Sequence, residues 1–328
     1  VSDANGSVLS LRDFKVEFAT PNGPVRAVRG VDFELAPGEI VGVVGESGSG
    51  KSVTFLGMLG LLPHSASVSG SARVNQTEMV GASTKTMRGI RGKEVAMIFQ
   101  DPLSALDPVY RVGDQIVEMI REHQSVSKKS AAATAVDLLG AVGIPQPKER
   151  ANQYPHEFSG GMRQRVMIAM AIANDPEVLI ADEPTTALDV TVQAQILELI
   201  DRLRDEMKMA VVMITHDLGV IARVADRVQV MYAGRAVEKT GVDDLFASPT
   251  HPYTEGLLRS IPLLGHQRLL PIPGSPPNML RPPSGCAFRP RCPYALEECA
   301  GELPELQPIG PAESACIRAA DLTLGVLT

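Results

Sequence analysis

Gly45–Glu46–Ser47–Gly48–Ser49–Gly50–Lys51–Ser52 has the spacing GxxxxGK[ST], and what flanks it decides how it folds. Before it, Glu39–Ile40–Val41–Gly42–Val43–Val44 reads as a short buried β-strand. After it, Ser52–Val53–Thr54–Phe55–Leu56–Gly57–Met58–Leu59 reads as the start of a helix. Strand, glycine loop and helix are the setting this spacing requires. Glycines let backbone N–H groups turn inward around an anion, where side chains would block the approach. The helix that follows aims its unpaired N–H groups and positive dipole end at the same anion. Gly45, Ser47, Gly48, Ser49, Gly50, Lys51, Ser52 and Val53 are therefore candidate phosphate-holding positions. Lys51 is expected to reach the β- and γ-phosphates, and the Ser52 hydroxyl to sit on Mg²⁺. The rival reading, a chance glycine-rich turn, would not need the strand and the helix.

Composition sets the limits. The chain has 328 residues, enough for one large domain or two smaller ones. Its 44% hydrophobic content supports a sizeable core, and its net charge of −7 with no basic block argues against nucleic acid as a partner. Arg88, Arg91 and Lys93 read as a solvated face. No apolar run approaches the ~18 residues a spanning helix needs. The longest candidate, 53–62, is short and broken by Gly57 and Gly60. Val1–Ser2–Asp3–Ala4–Asn5–Gly6 lacks a secretory pattern, so a cytosolic chain is expected.

Outward from the loop, 9–18 alternates as a strand through Leu9, Leu11, Phe14, Val16 and Phe18. Pro21–Asn22–Gly23–Pro24 is a turn, 25–35 a second strand, and Ala36–Pro37–Gly38 a break. Residues 63–71 read as a loop. Strands are expected at 94–99, 177–182 and 210–215, and a hairpin at 227–239 about Ala233–Gly234. Between Val112 and Ala173 the pattern is helical, with 166–173 apolar all round and so buried. Val192, Ile196, Leu199, Leu203 and Met207 mark an amphipathic helix. Strands alternating with helices give an α/β core with a helical insertion. From about 241 the chain is proline-rich, cysteine-bearing and poor in regular pattern.

A phosphate loop alone says only that a nucleotide binds. Val178–Leu179–Ile180–Ala181–Asp182–Glu183 adds an apolar strand that ends in carboxylates. Asp182 is placed to organise magnesium, and Glu183 to act as general base toward water; a strand ending in solvated acids is the plainer alternative. Phe158–Ser159–Gly160–Gly161–Met162–Arg163–Gln164 opens a helix with a serine and bare glycines, which makes another anion site.

This set resembles the ATP-binding cassette (ABC) ATPases, in which Ser-Gly-Gly marks the signature loop. The resemblance spans roughly 8–240. It implies a P-loop ABC ATPase core with an antiparallel β subdomain at 8–100 and 176–240, a helical subdomain at 101–175, and a C-terminal Cys/Pro-rich extension at 241–328. It implies a head-to-tail pairing of two cassettes, in which Ser159, Gly160 and Gly161 act in trans on the other cassette's ATP. By resemblance Phe18 stacks on adenine, though a core strand residue is its plain alternative. Gln100 contacts Mg²⁺ and water and couples to the membrane partner. Mg²⁺ is shared by Ser52, Gln100 and Asp182. Ala187–Leu188–Asp189 is similar to the dimer-contacting loop, and His216 to the switch histidine at the γ-phosphate. The signature here reads Phe-Ser-Gly-Gly-Met, not Leu-Ser-Gly-Gly-Gln. Its backbone donors survive, while a side-chain contact from Met162 to the sugar does not follow.

The tail resembles the dipeptide/oligopeptide permease ATP-binding subunits, through His251–Pro252–Tyr253–Thr254, Leu257–Leu258–Arg259–Ser260–Ile261–Pro262 and Pro283–Ser284–Gly285–Cys286–Ala287–Phe288–Arg289–Pro290–Arg291–Cys292. It implies a peptide importer: a sister ATPase, two transmembrane permease subunits and an extracytoplasmic solute-binding protein, with this chain peripheral on the cytoplasmic face. An importer of nickel or another small solute, or a soluble non-transport ABC ATPase, remains the alternative. Cys286, Cys292, Cys299 and Cys316 suit Fe–S or Zn²⁺, or stay free thiols. Disulfides are disfavoured in a cytosolic chain. Close C-x2–4-C pairs, usual for zinc, are missing. The resemblance implies a [4Fe–4S] cluster on this tail.

Overall fold

The computed structural model describes residues 6–261 and 271–325. Val1–Asn5 and Pro262, used above, lie outside them. The chain divides into two compact units. One holds Leu35–Glu39, Gly81–Val212 and the described residues before Leu9; the other holds Leu9–Glu34, Ile40–Val80 and the described residues from Met213 on.

In the first unit, Val95–Ile98 and Val178–Asp182 pair in parallel, with Val95 opposite Val178 and Ile98 opposite Ala181. Every residue of Val178–Asp182 is buried. A strand covered on both faces should read as a continuous apolar run, and this one does. Helix Gly160–Ala171 packs on Val95–Ile98 and on helices Val112–His123 and Lys128–Ala141. Val166–Ala169 are all buried, as the all-round apolar pattern requires. Asn174 ties these pieces together: its Nδ2 donates to the carbonyls of Gly92 and Met119, and its Oδ1 accepts from Gln124. Helix Val190–Met207 buries Ile196, Leu199, Ile200 and Leu203, the phase expected from its apolar spacing. Strand Ala210–Thr215 carries the chain out of this unit.

In the second unit, Ile40–Val44 is buried throughout and pairs in parallel with Arg227–Tyr232. The hairpin Arg227–Tyr232 and Arg235–Gly241 forms as expected. A separate antiparallel sheet contains Leu9–Thr20, Gly23–Leu35, Ala66–Val74 and Thr77–Glu78. Phe33 on its second strand meets Phe55 of helix Lys51–Met58 edge to face, 5.3 Å between ring centres. Edge-to-face contact is the favoured arrangement of two aromatic rings.

Two expectations are corrected. Residues 63–71 are not a loop throughout: Ala66–Val74 is a strand, with Val68 opposite Val16 and Val74 opposite Leu9. Its serines and glycine mute the apolar alternation, and only Ala72 and Val74 are buried on it. The tail is also more regular than its proline content suggests. It carries helices Val242–Ala247 and Pro252–Arg259 and strands Gln307–Ile309 and Ala312–Ser314. Ala312–Ser314 pairs with the hairpin's outer strand, Glu238 opposite Ser314. Three-residue strands are too short to show a period, and they form here by covering an exposed sheet edge. Among the described residues no helix is long and apolar enough to cross a membrane.

Candidate nucleotide site

The phosphate loop has the backbone its spacing demands. Gly45 and Gly50 stand at φ 150° and 99°. A Cβ on Gly45 would lie 2.2 Å from the Met231 carbonyl oxygen, and one on Gly50 2.7 Å from that of Ala27. Neither position can take a side chain. Helix Lys51–Met58 starts directly at the loop, and Thr54 closes its first turn by donating its hydroxyl to the Gly50 carbonyl at 2.8 Å. Lys51 is buried, and its ammonium donates to the carbonyls of Gly45 at 2.7 Å and Glu46 at 3.0 Å. The Ser49 hydroxyl is buried with no hydrogen-bond partner among the described residues. A cradle with no room for a Cβ and a buried ammonium beneath it fits a phosphate group. Ser47 and Gly48 are exposed on the loop, and Ser52 and Val53 half-buried on the helix. Phe18, in the same unit, is half-buried.

In the other unit the structure brings Gln100 and Glu183 together. The Gln100 amide donates to Glu183 Oε2 at 2.9 Å, and the Thr186 hydroxyl donates to the same oxygen at 2.8 Å. Asp182 is buried at the strand end, while Glu183 turns out of it at φ 47°. A left-handed glutamate is strained by about 1–3 kcal/mol, a cost that persists where the surroundings over-determine it. Thr186 was missed from the sequence, because only the turn after Glu183 folds it back. Asp182 and the Gln100 side-chain carbonyl are hard oxygen donors of the kind Mg²⁺ prefers, as is the Ser52 hydroxyl of the other unit.

Ser159 caps helix Gly160–Ala171, its hydroxyl accepting from the Met162 N–H at 3.3 Å. Ser159 and Gly160 are exposed at this helix start, and Phe158 beside them is buried with Arg150 over its ring. Asp189 caps helix Val190–Met207 in the same manner. His216 is exposed just beyond strand Ala210–Thr215.

Cys286, Cys292, Cys299 and Cys316 all line one cavity, together with His251, Phe288 and Arg289. Burial raises the thiols of Cys286 and Cys316, and that of Cys292 to about 11. The Cys286 N–H donates to the Cys299 carbonyl at 2.9 Å. Yet among the described residues no group of three or more His, Cys, Asp or Glu is arranged to hold a metal ion. The thiols converge without reaching ligating geometry, so the expected [4Fe–4S] cluster is not supported by the spacing of its donors.

Sequence reasoning also missed what holds Glu46. The Arg291 guanidinium meets its carboxylate, and the Tyr253 hydroxyl accepts from its N–H. No local pattern joins positions so far apart.

Residues 28–186 match the ABC transporter family, and 237–299 match the oligopeptide/dipeptide transporter C-terminal region. The oligopeptide transport ATP-binding protein OppD of Salmonella typhimurium is 49% identical over 314 residues, covering 95% of this chain and 93% of that protein. The dipeptide transport ATP-binding protein DppD of Bacillus subtilis is 52% identical over 296 residues, 89% of this chain and 88% of that one. OppD of Mycobacterium tuberculosis is 53% identical over 316 residues, and there the chain spans about half the relative, 52% of its length. Among solved structures, a dimeric bacterial ABC transporter cassette superposes with a TM-score of 0.64 at 26% identity, covering 71% of this chain and 98% of that one.

Proposed function

Because the chain belongs to the oligopeptide and dipeptide transport ATP-binding subunits of the ABC transporter family, we propose that it hydrolyses ATP to power peptide import. It works as a peripheral subunit on the cytoplasmic face of a membrane, beside a sister ATPase and two transmembrane permease subunits. An extracytoplasmic solute-binding protein delivers the peptide. In this reading the core (8–100 and 176–240) binds nucleotide, 101–175 transmits force from Gln100 to the permease, and 241–328 is an extension of the core.

The observation that carries this reading is the phosphate loop. Positive-φ glycines, a helix start and the buried Lys51 ammonium fall within eight residues. Lys51 holds the β- and γ-phosphates, and the amides of the loop hold the rest of the triphosphate. Phe18 stacks on adenine. Ser52, Gln100 and Asp182 supply oxygens to Mg²⁺, which when bound neutralises charge on the β- and γ-phosphates. Glu183 takes the proton of the attacking water as the bond to the γ-phosphorus forms and the bond to the ADP oxygen breaks. His216 steadies the γ-phosphate. Ser159, Gly160 and Gly161 close the nucleotide held by the other cassette. Their fixed N–H groups meet charge that spreads over the transferred phosphoryl group.

The test is phosphate release by the chain co-purified with its permease. Stimulation by peptides supports the reading, and stimulation by nickel alone overturns the peptide assignment. For the tail, Cys286, Cys292, Cys299 and Cys316 line one cavity but are not arranged as metal ligands; an iron–sulfur cluster would need them to draw together, with Zn²⁺ the competing occupant. Iron and sulfide assays on anaerobically purified protein separate them. Neither iron nor sulfide would sink the cluster.

A further inference from the structure

Arg291 and Glu46 are 245 residues apart in sequence. The guanidinium of Arg291 forks onto the Glu46 carboxylate, Nη1 to Oε2 at 2.6 Å and Nη2 to Oε1 at 2.9 Å. The Arg291 side chain is 5% exposed and that of Glu46 27%. Arg291 is itself fixed. Its Nε donates to the Pro273 carbonyl at 2.8 Å, its Nη1 to the Tyr232 hydroxyl at 3.3 Å, and its charge lies 5.9 Å from the ring centres of Tyr232 and Phe288. Tyr253, fully buried on helix Pro252–Arg259, accepts the Glu46 N–H at 2.7 Å. Its ring packs 4.5 Å from Tyr232 and 5.3 Å from Phe288. The remaining polar group of Glu46, its carbonyl, accepts from Lys51. Every polar group of this loop residue is therefore engaged, two of them by the C-terminal segment.

The arrangement has an electrostatic consequence. A carboxylate inside a loop that must hold a highly charged phosphate chain repels it, and partial burial limits how far water can screen the repulsion. A bidentate guanidinium cancels that charge and fixes the side chain's direction. An anchored amide and carboxylate also leave less freedom to lose when phosphate binds. We infer that Arg291 and Tyr253 are positioning residues for the phosphate loop: they hold Glu46, neutralise its charge and so set the loop's affinity for nucleotide. The inference rests on the reading that this loop binds ATP.

The experiment is MgATP titration of the full chain, with thermal melting as the check on folding. Arg291→Ala leaves the Glu46 charge uncompensated and weakens binding on the order of tenfold or more. Glu46→Gln binds within a few-fold of wild type. The double variant Arg291→Ala/Glu46→Gln recovers most of the lost affinity, which a role in packing alone would not allow. Tyr253→Phe raises KM for ATP a few-fold and leaves kcat at saturation in place. If Arg291→Ala does not fold, Arg291→Met keeps the stem without the charge and carries the same test. Wild-type affinity in the Arg291 variants, or a double variant as weak as the single, overturns the inference. Lys51→Ala runs alongside: if it too binds normally, the reading of the loop fails; if it alone loses affinity, only the role of Arg291 fails.

Discussion

The Gln100 side-chain amide donates to Glu183 Oε2 across 2.9 Å, and the two residues are 83 positions apart in the chain. The carboxylate expected to activate water is thus aimed by the glutamine expected to sense the membrane partner. The Thr186 hydroxyl holds the same oxygen at 2.8 Å. Two donors on one oxygen fix its direction.

Thr186→Val removes one of these donors without changing the side chain's size. Hydrolysis should fall by a factor of a few to about ten, the worth of a solvent-exposed hydrogen bond at about 0.5–1.5 kcal/mol, while the Kd for MgATP holds. An unchanged kcat would mean that the Thr186 hydroxyl does not orient the carboxylate.

Lys51→Ala deletes the buried ammonium. Charge-assisted hydrogen bonds to phosphate are worth about 1.5–3 kcal/mol, so nucleotide affinity should fall about ten- to a hundredfold. Titration with a fluorescent nucleotide reads this directly.

Phe288 packs against Tyr232, Tyr253 and His251, all in one cluster. Phe288→Ala should cost about 3–5 kcal/mol. The expected signature is a lower Tm with early protease cleavage after residue 271, which limited proteolysis detects.

His251 is fully buried and capped onto helix Pro252–Arg259, where its Nδ1 accepts the Tyr253 N–H. Burial lowers its pKa to about 3. A histidine depressed in the fold binds a proton in the unfolded chain first, so its contribution is present above pH ~6.5 and is lost as pH falls toward 3. Glu238, raised by burial, contributes in the opposite sense: its part is present at low pH and is lost as pH rises. The His251 part of the stability should therefore decline on acidification from pH ~6.5 to ~4.5, against a gain from Glu238. His251→Asn, which keeps a capping acceptor, should flatten that slope. Denaturant melts across this range provide the measurement, and an equal slope in both proteins would assign it elsewhere.

Much of this was legible in the chain. The phosphate loop announces itself because only glycine fits against the Met231 and Ala27 carbonyls, so residue type and backbone are one constraint. The buried strand Val178–Asp182 is readable because burial on both faces demands an unbroken apolar run. Ala66–Val74 escaped because its small polar residues satisfy a lightly buried strand without alternating. The tail strands escaped because they are three residues long and take their order from Glu238 and Lys239 across the ladder. The Arg291–Glu46 pair could not be read at all: a long-range ion pair leaves no periodic mark.

The most direct test of the central claim, that this chain hydrolyses ATP with Glu183 as general base, is steady-state phosphate release by the assembly co-purified with its permease, wild type against Glu183→Gln. General-base catalysis is worth about 10²–10⁴-fold, so the variant should lose hydrolysis by that factor, keep MgATP binding and accumulate as a closed pair of cassettes. Undiminished turnover by Glu183→Gln would contradict the account.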